Sequence, residues 1–93
     1  MIKKNIHPYR LTWDEDEWAV VAAEDKEVAV ECFLEDFKMS EKEYDRLGIN
    51  IEKVSPGLKV LTPYFPKPIS VGALIEIIKF FPRVLAESGD LVQ

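Results

Sequence analysis

The sequence predicts an α+β fold: a two-layer sandwich with a mostly antiparallel sheet of four to five strands and two main helices on one face. Three observations lead there. Short alternating or apolar stretches recur between turn signals at 9–13, 18–23, 49–54 and 58–62. Two stretches, 25–37 and 69–81, carry helical spacing of apolar residues behind a capping residue. The two kinds interleave in the order ββαββα, which favours one sheet covered by helices. If residues 83–86 add a final strand, the order from Trp18 onward becomes βαββαβ, the ferredoxin-like split arrangement. The whole of 1–93 reads as one domain, because 93 residues suffice for one core and not for two.

The elements follow in order. Tyr9-Arg10-Leu11-Thr12-Trp13 alternates and is rich in strand formers. Pro8 before it suits a strand start or an edge. Asp14-Glu15-Asp16-Glu17 is the turn of a hairpin. Trp18-Ala19-Val20-Val21-Ala22-Ala23 runs apolar without alternation, as a central strand covered on both faces does.

Asp25 can cap the first helix, whose apolar face is Val28, Ala29, Cys32, Phe33 and Phe37, with Glu27, Glu31 and Glu35 on the wet side. Ser40 with Glu43 forms a capping box for a short second helix, and Gly48 stops it. Ile49–Val54 and Leu58–Thr62 read as strands joined through Ser55-Pro56-Gly57 as a hairpin. Three prolines between 63 and 68 predict a stiff extended connector.

Ser70 then caps a helix that Pro82 ends. Its spacing turns Leu74, Ile77, Ile78 and Phe81 to the core. Gly72, Glu76 and Lys79 form the polar strip. Val71 and Ile75 on one shoulder, and Phe80 on the other, are left to cover a second copy or a partner.

Charge is segregated. Residues 14–52 hold fourteen acidic and four basic side chains, for −10; residues 1–13 carry +3 and residues 53–93 carry +2, which gives the net −5. This distribution argues against direct nucleic-acid binding, which needs a basic footprint, and favours a basic protein partner. No apolar run is long enough for a membrane span. The two lysines near the start precede no apolar core of a signal peptide. With one cysteine there is no internal disulfide, and a cytoplasmic location is expected.

Chemistry is sparse. Cys32 sits among apolar residues, as a small buried hydrophobe does. His7 is the lone histidine and lies before a proline, with nothing to pair it with Cys32. A zinc site would need more ligands, and the acidic run 14–17 lacks the glycine and distal glutamate of a calcium loop. No catalytic residue, metal ligand or cofactor is assigned, and the chain is expected not to be an enzyme.

The expected function is binding by occlusion. The partner-facing residues are Trp13, Asp14, Glu15, Asp16, Glu17, Glu31 and Glu35, with Tyr64 and Phe65 as aromatic anchors on the proline-rich connector. Small acidic immunity proteins that neutralise basic nuclease toxins have this general character, a likeness of composition that rests on no motif. The alternatives are a structural or regulatory homodimer through Val71, Ile75 and Phe80, and a small-molecule-binding domain with an apolar pocket.

Overall fold

The structure is a computed structural model that describes residues 5–14, 16–62 and 65–88. Its elements run β1 (His7–Trp13), β2 (Glu17–Ala23), α1 (Lys26–Asp36), α2 (Glu41–Leu47), β3 (Asn50–Lys53), β4 (Lys59–Thr62), β5 (Phe65–Ser70), α3 (Val71–Ile77) and β6 (Arg83–Glu87). The fold is α+β, with a four-stranded antiparallel sheet, a two-stranded sheet and three helices.

The main sheet has the order β3-β1-β2-β6, so β2 is central as its unbroken apolar run implies. From Ala19 to Ala23 every residue is fully buried. Alternation sends these residues into two separate cores. Ala19, Val21 and Ala23 join Tyr9 and Leu11 of β1 beneath Ala29 and Phe33 of α1. Val20 and Ala22 join Leu85 and Ala86 of β6 beneath Val60, Val71, Leu74 and Ile75. The helices therefore divide: α1 covers one face, while α3 and the β4–β5 hairpin cover part of the other. This layering differs from two helices on one face, because a strand apolar on both sides needs a cover on each.

The chain path differs from the expected one in three further places. First, β3 pairs with β1, while β4 pairs with β5, so Ser55-Pro56-Gly57 links two sheets and closes no hairpin. Both β2 and β3 run antiparallel to β1 and so parallel to each other. The unit β2-α1-α2-β3 is thus a split crossover, but the strand in its gap is β1, where the ferredoxin-like order would place β4.

Second, the proline-rich connector is a strand. Val71 N–H donates to Leu58 O at 2.8 Å, so the Ile69 amide, opposite Val60, also turns toward β4 and Pro68 before it turns the other way. Pro68 then falls on the outer edge and Pro66 in the stretch where the register shifts, two places where a missing N–H costs no ladder bond.

Third, α3 ends at Ile77, four residues before Phe81. Ile78 is already extended at ψ 143°. The β-branched Ile75, Ile77 and Ile78 weaken the helix at this point. Ending there lets the chain turn back into β6, where it pairs with β2.

The helix signals behave as their chemistry dictates. Asp25 accepts from Val28 N–H at 2.9 Å. Ser40 and Glu43 form both arms of the capping box. Gly48 closes α2 in the left-handed region at φ 64°. None of the described helices is long and apolar enough to cross a membrane.

Candidate functional site

Two surfaces stand out, and they lie on opposite faces of the main sheet. The first is the outer side of α1. Glu27, Glu31 and Glu35 recur every four residues on its exposed stripe, which places them in a row of about 12 Å at 1.5 Å per residue. Between α1 and β3 runs an open trough of about 450 Å³, with Glu27 and Glu31 on its wall and Val30 and Ile51 supplying apolar lining. Lys26 also lines it. Of the two ion pairs described, Arg10–Glu52 and Arg46–Glu43, neither engages this row. The α1–α2 stretch, 24–46, holds nine acidic and four basic groups.

Trp13 connects the hairpin turn to this helix. Its ring lies 5.2 Å from Phe33 and 5.8 Å from Phe37, edge-on to both. Asp14, which takes φ 57° in the turn, therefore sits beyond the end of α1 that carries Glu35 and Asp36. The left-handed region tolerates Asp better than most residues. Asp16 is exposed in the same turn. Glu17 is engaged elsewhere: Ser88 Oγ donates to its Oε1 at 3.1 Å and itself accepts from Trp18 N–H at 3.2 Å. Glu15 and Tyr64 lie outside the described residues.

Several expected contact residues face inward. Trp13 is half-buried on Phe33 and Phe37, so it supports the acidic turn and is not a free anchor. Phe65 packs against the core beneath α3, because its place in β5 turns it there. Val71 and Ile75 are buried, at 0% and 8% exposure, and are withdrawn as a self-interface. With Leu74 they pack in one core with Val20 and Ala22 of β2. Phe80 is 78% exposed and Ile77 53%, so the outward apolar spot is the chain around the end of α3.

The second surface was not legible in the sequence. The β4–β5 hairpin and α3 cover Val20 and Ala22 of β2 and Leu85 and Ala86 of β6 on their face of the sheet, and Arg10 and Thr12 of β1 lie at the margin of this cover. At the boundary lies a cavity of about 360 Å³. Arg10, Thr12, Trp18 and Val20 form its sheet side. Four consecutive residues, Leu58 to Leu61, form the other with Pro68. Arg10 reaches Glu52 at 2.7 Å through its terminal nitrogen, and its Nε is buried without a hydrogen-bond acceptor among the described residues.

Cys32 and Tyr44 have shifted acidities. Burial pushes the Cys32 thiol above its ordinary value, and Asp36 and Glu35 push it further the same way. Burial, then Asp45, raises Tyr44. A neutral thiol is a poor nucleophile. His7 meets Tyr9 edge-on at 6.5 Å. No group of three or more potential metal ligands occurs among the described residues. Comparison with protein-family models, curated proteins and solved structures finds no match to this chain.

Proposed function

We propose that this chain is a small non-enzymatic binding protein of the inhibitor or immunity type, which occludes a basic protein with the outer face of α1 and the β1–β2 turn. The observation that carries the reading is the trough between α1 and β3. Glu27 and Glu31 stand beside the apolar Val30 and Ile51. A lysine or arginine side chain has that same division, an apolar stem and a charged head. The carboxylate row would steer a basic partner at long range, and the apolar lining would slow its release.

The test is capture on immobilised protein from a lysate of the source organism, with the wild type beside a Glu27→Lys, Glu31→Lys, Glu35→Lys variant. The expected result is a basic protein held by the wild type, released as salt rises and absent from the variant. The same proteins on both would overturn the reading.

A second reading, the homodimer, is favoured by one observation: Phe80 and Ile77 are the most exposed large apolar residues described.

A further inference from the structure

The cavity on the opposite face has the form of a strand-edge groove. Side chains of successive strand residues point to opposite faces, so a cavity lined by three of them in a row reaches the strand's edge. Lys59, Val60 and Leu61 of β4 line the cavity from both faces of the strand, with Leu58 before the strand and Pro68 of β5 beside them. Among the described residues β4 pairs with β5 alone. The Leu58 carbonyl faces β5, where it accepts from Val71, so alternation turns the amide and carbonyl of Lys59 to the other edge. The hairpin treats its two edges differently. The outer edge of β5 is interrupted at Pro68, whereas residues 58–62 contain no proline.

We propose that this edge of β4 is a docking site for an extended peptide, which adds to β4 as a third strand and carries a carboxylate next to an apolar residue. Strand addition supplies main-chain hydrogen bonds, and pockets for alternate side chains supply selectivity. Trp18, Val20 and Leu58 offer the apolar wall. Charge complementarity names the acidic component: Lys59 lines the groove beside Arg10, whose terminal nitrogen is held by Glu52 and whose Nε is buried without an acceptor among the described residues. The layer around it, residues 58–79, holds three basic groups and one acidic. The site is independent of the acidic face of α1 and takes a ligand of opposite charge.

The experiment is selection of random twelve-residue peptides displayed on phage against the folded chain, with two variants as counter-targets. Lys59→Pro removes the outward amide at an exposed position. Lys59→Glu keeps the amide and reverses the charge. Dispersed amide NMR spectra establish that each variant is folded. The expected result is enrichment of peptides that alternate apolar and polar residues around an Asp or Glu. They should bind Lys59→Pro and Lys59→Glu at least about tenfold more weakly, near the loss of one good contact, and shift the amides of residues 58–61 and the Trp18 indole. Lys59→Glu serves alone if Lys59→Pro does not fold. Three results would overturn the proposal: no peptide enriched over the counter-targets, peptides that bind all three proteins equally, or occupancy by small carboxylates such as octanoate without any peptide. None of these bears on the α1 face, because the Glu27, Glu31 and Glu35 substitutions lie across the sheet.

Discussion

The Trp13 ring meets the Phe33 ring edge-on, with centroids 5.2 Å apart and planes inclined at 64°. Phe33 is fully buried on α1, and Trp13 ends β1. This contact joins the first hairpin to the helix that follows it and sets where the acidic turn stands beside α1. Phe37 and Tyr44 complete the group, at 4.6 Å and 6.3 Å from Phe33. Phe33→Ala should cost about 3–5 kcal/mol, a large share of the ~5–15 kcal/mol of a small domain. A double-mutant cycle on Trp13→Leu and Phe33→Leu, followed by urea denaturation, should return a coupling of about 1 kcal/mol. A coupling near zero would mean that the two rings only fill space.

Gly72 is the place where a usually favourable change should fail. Glycine to alanine within a helix normally gains about 1 kcal/mol. Here Gly72 N–H donates to Pro56 O at 2.8 Å. A Cβ on Gly72 would lie 3.0 Å from that oxygen and 3.1 Å from Pro56 Cβ. Pro56 has little room to yield, since Leu58 N–H and Gly57 N–H both bind back to Ser55. Gly72→Ala should therefore lower stability by about 1 kcal/mol, and a rise in thermal midpoint would show that the turn gives way.

The pH dependence has a definite sign. Cys32 and Tyr44 are both raised above their ordinary values of 9.0 and 10.0, each first by burial. The folded state thus holds these protons more tightly than the unfolded chain. Their contribution is complete below pH 9 and is lost as pH climbs through the raised values. Thermal midpoints should fall above about pH 9, and Cys32→Ala should remove part of that fall. Iodoacetamide at pH 8 should label Cys32 more slowly in the folded chain than in urea. Equal rates would contradict the burial argument.

The local signals of the chain were legible because each is settled within a few residues. The Asp25 cap, the Ser40–Glu43 box, the Gly48 stop and the central place of β2 all follow from short-range chemistry. Pairing was not, because it depends on which distant edge is open. Ser55-Pro56-Gly57 forms a turn in either topology, and nothing in Ile49–Val54 says that β1 and not β4 will lie beside it. The prolines at 66 and 68 argue for a connector until the pairing shows Pro68 on an outer edge and Pro66 where the register shifts. Val71 and Ile75 looked outward because the spacing was read over thirteen residues, whereas α3 has seven. Of the acidic site, the row 27-31-35 follows from helical spacing. The β4 groove needs two elements brought together from 40 residues apart, and no periodicity signals that.

Phe80 decides the dimer reading. At 78% exposure it has little to lose from a polar replacement, so Phe80→Asp should leave stability within about 0.5 kcal/mol. Light scattering behind a sizing column, at low and high salt, should give the same mass for wild type and variant if the exposed apolar spot is incidental. A wild-type dimer that Phe80→Asp splits into folded monomers would favour the homodimer over occlusion.

The account rests most on the carboxylate face of α1. Its most direct test is the association rate with the captured basic protein, measured by stopped flow from low to high ionic strength. The wild type should associate at least about tenfold faster at low salt than the Glu27→Lys, Glu31→Lys, Glu35→Lys variant. That advantage should shrink toward high salt, as screening shortens the reach of the charges to a few ångströms. Equal rates and equal salt slopes for the two proteins would remove the α1 face as the docking surface.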